Sequence, residues 1–306
     1  MATQTASLVD VLTLKPGEQA DHFIGSAEAY GVVGIYGGHF LGQALAAALA
    51  TIEPNKLANS LHGYFLRPGI PGVPIIYQVN RLRDGRGFAT RAVTAYQQAK
   101  PVFHMSASFK VFEPGDEHQK TMPAVLPAAT LIERREAAGI KPFQFPMTTD
   151  GRVDMEWASE SFNPVKFVAG RVPCLQTWMR ANVPNDIDAR LSQCVLAFLS
   201  DGTLMFNAVL PYGIPFQSHR LTSLDQAVWF HRPCNPADWL LFDQRSTAAA
   251  DSRGMNEGEV YTADGQLILT VAQESMLRRN VNPACGVILK SINYQRSVLS
   301  ADPIGP

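Results

Sequence analysis

Charged side chains are scarce in this sequence: Asp, Glu, Lys and Arg make up 17% of its 306 residues, against about 25% in an average globular chain. The shortage implies that much of the surface is covered, and Val102 and Ile268 read as exposed-face hydrophobes, so a homo-oligomer, dimer or tetramer, is expected. The 26 basic and 27 acidic residues nearly cancel. That balance excludes a sequence-independent nucleic-acid binder, which is normally far more basic. Cysteine is sparse too. Cys174, Cys194, Cys234 and Cys285 show no CxxC spacing, and a chain this long needs no disulfide staples. All four read as buried small hydrophobes in a reducing compartment.

Long apolar runs are also missing. The greasiest stretch, ALAAALATI at 44–52, is about half of what spans a bilayer, so no membrane partner is expected. The start, MATQTASLVDVLTLKPG, has neither the basic nor the apolar region of a signal peptide. The last residues, Asp302 to Pro306, form no S-K-L address. A cytoplasmic location follows as the expectation. GxSxG, GxxxxGK[ST] and HExxH are all absent, which removes the nucleophile elbow, the phosphate loop and a helical zinc site. Gly85-Arg86-Gly87 begins like GxGxxG, but Thr90 replaces the third glycine and a strand-like run follows. No cofactor and no metal are expected.

What is present is an internal repeat. Leu41–Leu49 matches Leu191–Leu199 at an offset of 150. Phe65–Pro68 matches Phe230–Pro233 at 165, Arg86–Phe88 matches Arg253–Met255 at 167, and Pro101–Phe103 matches Leu267–Leu269 at 166. The order is kept and the offset changes mainly once. This pattern indicates duplication, with about 15 residues inserted after the second copy's helix. Each copy opens with an apolar helix, carrying Phe40, Leu41, Ala44, Leu45, Ala48 and Leu49 in the first. The second carries Ile187, Leu191, Cys194, Val195 and Phe198 after an N-cap at Asn185-Asp186. Strand-like runs follow at 62–66, 74–80, 87–98 and 101–112, then at 227–232, 239–248, 255–262 and 266–277. Gln98-Ala99-Lys100 and Ala263-Asp264-Gly265 are hairpin connections. A helix followed by a long antiparallel meander, written twice, reads as a helix wrapped by a sheet.

These residues resemble the acyl-CoA thioesterase II family. The likeness rests on Tyr36-Gly37-Gly38-His39, His62 through Gly69, Arg83-Asp84-Gly85, Ser106 through Phe109, Glu117-His118-Gln119, Trp178 through Ala181, Ala227 through Pro233, and Ser252-Arg253-Gly254. It covers about residues 20 to 280. The resemblance implies an α+β architecture of two fused hotdog folds, each a long central helix wrapped by a curled antiparallel sheet. The expected division is an N-terminal hotdog over 1–115, a linker over 116–150 and a C-terminal hotdog over 151–306 that carries the catalytic residues.

The resemblance also implies hydrolysis of acyl-CoA to free fatty acid and CoA, by water held between an Asp, a hydroxyl and a Gln. The family pattern places these at Asp201, Ser223 and Gln273, with serine where threonine is usual and Thr222 as the neighbouring alternative. A thioester has a good leaving group, so water needs only orientation and partial deprotonation. Taken singly, Asp201 reads as a polar helix end, Ser223 as a turn cap and Gln273 as a solvated strand residue. His39, His62 and His231 could line an acyl tunnel, or be packed or surface histidines. Two other functions remain open. A hotdog enoyl-thioester hydratase or dehydratase would pair Asp with His, but Asp225 and His231 are one residue too far apart. A non-catalytic acyl-thioester binding module would have Asp201 or Gln273 facing away from any cavity.

Overall fold

The computed structural model describes residues 6–30, 34–142, 148, 150–158 and 172–280. The first copy contains α1 (Leu8–Leu12), β1 (Lys15–Pro16), β2 (His22–Gly25), α2 (Gly37–Leu49), β3 (Lys56–Phe65), β4 (Ile75–Asp84), β5 (Phe88–Gln97) and β6 (Lys100–Val111). After α3 (Ala128–Ala137) and β7 (Val153–Trp157), the second copy runs through β8 (Cys174–Ala181), α4 (Ala189–Leu199), β9 (His219–Ser223) and β10 (Asp225–Phe230). It ends with β11 (Leu240–Ala250), β12 (Arg253–Thr262) and β13 (Leu267–Arg279). The eight strand-like runs of the sequence correspond to β3 to β6 and β10 to β13, with shifted ends.

All strands join one antiparallel sheet in the order β1-β2-β4-β5-β6-β3-β10-β13-β12-β11-β8-β7, with β9 also paired to β13. The seam between copies is the β3–β10 ladder, where Leu61 faces Val228 and Tyr64 faces Asp225. No sheet edge separates the two halves. The β5–β6 and β11–β12 hairpins turn on Gln98-Ala99 and Asp251-Ser252, all four with positive φ, the twist that a two-residue hairpin turn requires. The inserted stretch after α4 forms a short 3-10 turn (Leu204–Phe206) and then β9.

The sheet wraps α2 and α4, which pack on each other. Leu41, Ala44, Leu45 and Ala48 of α2 are fully buried, and each such leucine contributes about 1.5–3 kcal/mol. The helices approach at two glycines. A Cβ on Gly38 would lie 2.1 Å from the Phe198 carbonyl oxygen, and one on Gly42 would lie 3.0 Å from that of Cys194. The α4 N-cap is Asp188, not the expected Asn185-Asp186. Its carboxylate accepts from the N–H groups of Arg190 and Leu191, both at 2.8 Å. Arg190 in turn donates to the Leu49 and Ile52 carbonyls at 3.1 Å each, closing the C-terminal end of α2.

Other expectations are corrected. Val102 and Ile268, read as exposed-face hydrophobes, are core residues. Each is the extra residue at a β-bulge: the β5–β6 register passes from Phe103 to Pro101, and the β12–β13 register from Leu269 to Leu267, which breaks the in-out alternation there. The expected oligomer therefore keeps only the low charged fraction as its ground. Cys194 is buried, but Cys174 is exposed and Cys234 half-buried, because Cys174 opens a strand next to solvent. Cys285 and the terminal Asp302–Pro306 lie outside the described residues. The stretch between the copies is more than a connection. It contains α3, whose Ala128 and Leu131 pack on Trp178, Leu241 and Tyr261. Among the described residues, no helix is long and apolar enough to cross a membrane.

Candidate active site

Asp201 follows α4 directly and is 4% exposed. Its Oδ1 accepts from Gln273 Nε2 at 2.6 Å and from Ser223 Oγ at 3.2 Å. The Gly38 backbone amide also faces the carboxylate and favours its ionised form. Gly37 and Gly38 open α2, whose N-cap Tyr36 makes no side-chain cap, so the first amides of the helix receive no cap and Gly38 is the one that faces the carboxylate. A Cβ on Gly37 would sit 2.4 Å from Asp201 Oδ2. Only glycine admits the carboxylate there.

Burial is the largest influence on the Asp201 carboxyl and raises it to about 7, with the bonds from Gln273, Ser223 and Gly38 pulling the other way. A carboxylate poised near neutrality is suited to accept a proton at physiological pH. Gln273, on β13, is fully buried. Its Nε2 donates also to Gln226 Oε1 at 2.7 Å, while its Oε1 has no protein partner. A buried acceptor without a donor costs about 1–3 kcal/mol, so the site is shaped to receive a hydrogen-bond donor. Ser223, at the end of β9, is half-buried, whereas Thr222 is exposed. The structure thus brings Asp201, Ser223 and Gln273 into one cluster, and leaves Thr222 outside it.

The first copy also contributes to this cluster, through backbone groups the sequence reading had not assigned. Gly38 supplies an amide from α2, Gly37 leaves room for the carboxylate, and Phe65 of β3 packs beside Gly37. Backbone donors have no side-chain signature, and the Tyr36-Gly-Gly-His39 run was the one sign of them. The first copy has no matching site of its own. The repeat offsets place Thr51 where Asp201 stands and Ala107 where Gln273 stands. There Arg91 fills the space, donating from Nε to Thr51 Oγ1 at 2.8 Å and from Nη2 to Asp84 at 2.6 Å.

The histidines lie elsewhere. His39 is buried between Tyr30 OH at 3.0 Å and Ser26 O at 2.8 Å, and desolvation lowers it to about 4. His231 bonds Thr270 at 2.8 Å. His62 pairs with Asp225 at 2.9 Å in an open groove of about 430 Å³. That groove lies on the sheet face opposite α4, since Asp225, Ala227 and Trp229 alternate with the fully buried Gln226 and Val228. Asp225 therefore pairs with His62, not with His231. Among the described residues no histidine bonds Ser223, and no group of acids, histidines and cysteines could hold a metal. A Ser223 hydroxyl that orients the carboxylate predicts that Ser223→Thr keeps near-normal turnover and that Ser223→Ala retains measurable activity. Loss of one such bond costs about 0.5–3 kcal/mol. Steady-state kinetics of both variants check this, and complete inactivity of Ser223→Ala would contradict it.

The sequence model of the family described as acyl-CoA thioesterase matches residues 150–276, and that of the acyl-CoA thioesterase N-terminal domain matches residues 26–110. The chain is 33% identical over 274 residues to acyl-CoA thioesterase 2 of Haemophilus influenzae, covering 84% of this chain and 92% of that protein. It is 33% identical over 280 residues to acyl-coenzyme A thioesterase 8 of Homo sapiens, covering 88% of each. In structure it is similar to an acyl-CoA thioesterase II from Mycobacterium marinum, with TM-score 0.73 and 32% identity over 89% of this chain and 98% of that one. A hot dog fold protein from Alicyclobacillus acidocaldarius, 22% identical, shares the fold with TM-score 0.72 over 89% of this chain and 98% of that one. With both halves matched and the likeness running nearly end to end, the chain is a double hotdog protein and belongs to the acyl-CoA thioesterase II family.

Proposed function

We propose that this protein hydrolyses acyl-CoA thioesters to a fatty acid and CoA by direct attack of a water molecule, with the chemistry carried by the second copy. The domain division is 1–115, 116–150 and 151–306. The observation that carries the reading is the buried Asp201 carboxylate, held by Gln273, Ser223 and Gly38, beside an amide oxygen with no partner. Asp201 takes one proton from the water while the free Gln273 Oε1 accepts the other. Ser223 donates to Asp201 Oδ1 and fixes the carboxylate plane. The water oxygen then bonds to the thioester carbonyl carbon. The resulting oxyanion sits at the start of α2, where backbone N–H groups favour negative charge. Collapse expels the CoA thiolate, and the proton held by Asp201 returns to it.

Incubation with acyl-CoA and a thiol reagent tests the reading. A hydrolase releases thiol, whereas a hydratase and a binding module do not. The pH dependence follows from Asp201. As a base it works only when ionised, so kcat/KM should fall about tenfold per pH unit below a break near 7, and flatten above it. A profile flat from pH 5 to 8 would remove Asp201 from the base role.

A further inference from the structure

The amide that touches Asp201 belongs to a longer chain of hydrogen bonds, and that chain runs in one direction. It starts at the Ala197 carbonyl of α4, which can only accept. Ser200 Oγ donates to it at 2.8 Å, so the Ser200 oxygen is left to accept. Gln226 Nε2 donates to Ser200 Oγ at 2.7 Å, which turns Gln226 Oε1 toward Gln273. Gln273 Nε2 donates to Gln226 Oε1 at 2.7 Å and to Asp201 Oδ1 at 2.6 Å. A flip of either amide would set donor against donor or acceptor against acceptor along this chain. We propose that Gln226 is a positioning residue: with Ser200 it fixes Gln273 so that its amide nitrogen faces Asp201 and its carbonyl oxygen faces the attacking water.

The duplication supports a role beyond folding. The repeat offsets place Leu61 where Gln226 stands, Ala50 where Ser200 stands and Ala107 where Gln273 stands. Leu61 and Ala107 are buried, as Gln226 and Gln273 are, whereas Ala50 is exposed. The same architecture is therefore built with apolar side chains at these positions. The polar chain occurs in the copy that carries Asp201. Gln226 and Ser200 are both fully buried, so two polar groups are taken from water there without need of the fold.

This proposal rests on the water-attack reading above, and its test separates the two. Gln226→Leu installs the residue type that the first copy uses. Thiol release from acyl-CoA should show kcat lowered about tenfold to a hundredfold with KM little changed, as for a misplaced reacting group. Gln273→Leu should be impaired at least as much, and the Gln226→Leu/Gln273→Leu double variant should be no slower than Gln273→Leu alone. Ser200→Ala gives a second readout if Gln226→Leu folds poorly. It leaves Gln226 without its acceptor, and its smaller loss should likewise vanish in a Gln273→Leu background. An impaired Gln273→Leu with wild-type kcat in Gln226→Leu and Ser200→Ala overturns the positioning role alone. Losses that multiply in the double variant overturn it too, since Gln226 would then act independently of Gln273. Wild-type turnover in Gln273→Leu overturns the water-orienting reading itself, and this proposal with it.

Discussion

Asp201→Asn should lose turnover by about 10²–10⁴-fold while KM stays close to wild type. The substitution keeps the shape of the side chain and removes the proton acceptor, so the ground state is bound as before and the transition state loses its base. The same variant should be more stable at alkaline pH. Asp201 ionises near 7 in the folded chain against an ordinary value of 3.8, so between those limits the folded state holds a proton that the unfolded state has released. Stability of the wild type therefore falls as pH rises from about 4 to about 7, and the full cost of the buried charge is present above that. Asparagine carries no such cost, though its amide nitrogen would meet the Gly38 N–H. A net gain of about 1–3 kcal/mol at pH 8 is expected, shrinking toward pH 5. Thermal unfolding of both proteins at the two pH values measures it. Equal midpoints at pH 8, or wild-type turnover, would contradict a buried, ionised Asp201.

Gly38→Ala should be the most damaging one-methyl change in the helix pair. The added Cβ would lie 2.1 Å from the Phe198 carbonyl oxygen and 2.4 Å from the Tyr36 ring. A backbone oxygen cannot swing aside, so α2 must move off α4, and overpacking of this kind costs about 3 kcal/mol or more. The movement also withdraws the Gly38 amide from Asp201, so turnover should fall with stability. Gly42→Ala meets the flexible Leu12 Cδ2 at 2.6 Å first and the Cys194 oxygen only at 3.0 Å, and should be the milder of the two. A Gly38→Ala protein with wild-type unfolding temperature and turnover would show that the helices are not held at this distance.

Both copies of the helix and their four-strand meanders were legible in the sequence because the duplication doubles each weak signal. Elements outside the duplicated block were not. β8 holds a motif, Trp178 to Ala181, without strand punctuation, and β9 lies in the insertion, which has no second copy for comparison. α3 is short and mixed in polarity, and its place is set by packing on Trp178 and Tyr261. Val102 and Ile268 misled for a physical reason. Strict alternation along a strand assumes an unbroken register, and at these equivalent positions a β-bulge adds one residue and upsets the alternation. Asp201, Ser223 and Gln273 came from family resemblance, because each alone has a bland reading. Gly37 and Gly38 act through backbone atoms and so have no residue-type signal. Gln226 and Ser200 did carry one: comparison of the copies shows polar residues where the first copy has Leu61 and Ala50.

Water attack and nucleophilic attack by Ser223 differ in one observable, the acyl-enzyme. Ser223 Oγ donates to Asp201 and bonds no histidine among the described residues, so the hydroxyl has no general base of the serine-hydrolase kind. The direct measurement is rapid mixing of the wild-type protein with acyl-CoA, acid quench within the first turnover, and intact-mass analysis. The account predicts the unmodified mass at every time point while free thiol accumulates. A mass increase equal to the acyl group, present in the wild type and absent from Ser223→Ala, would contradict it.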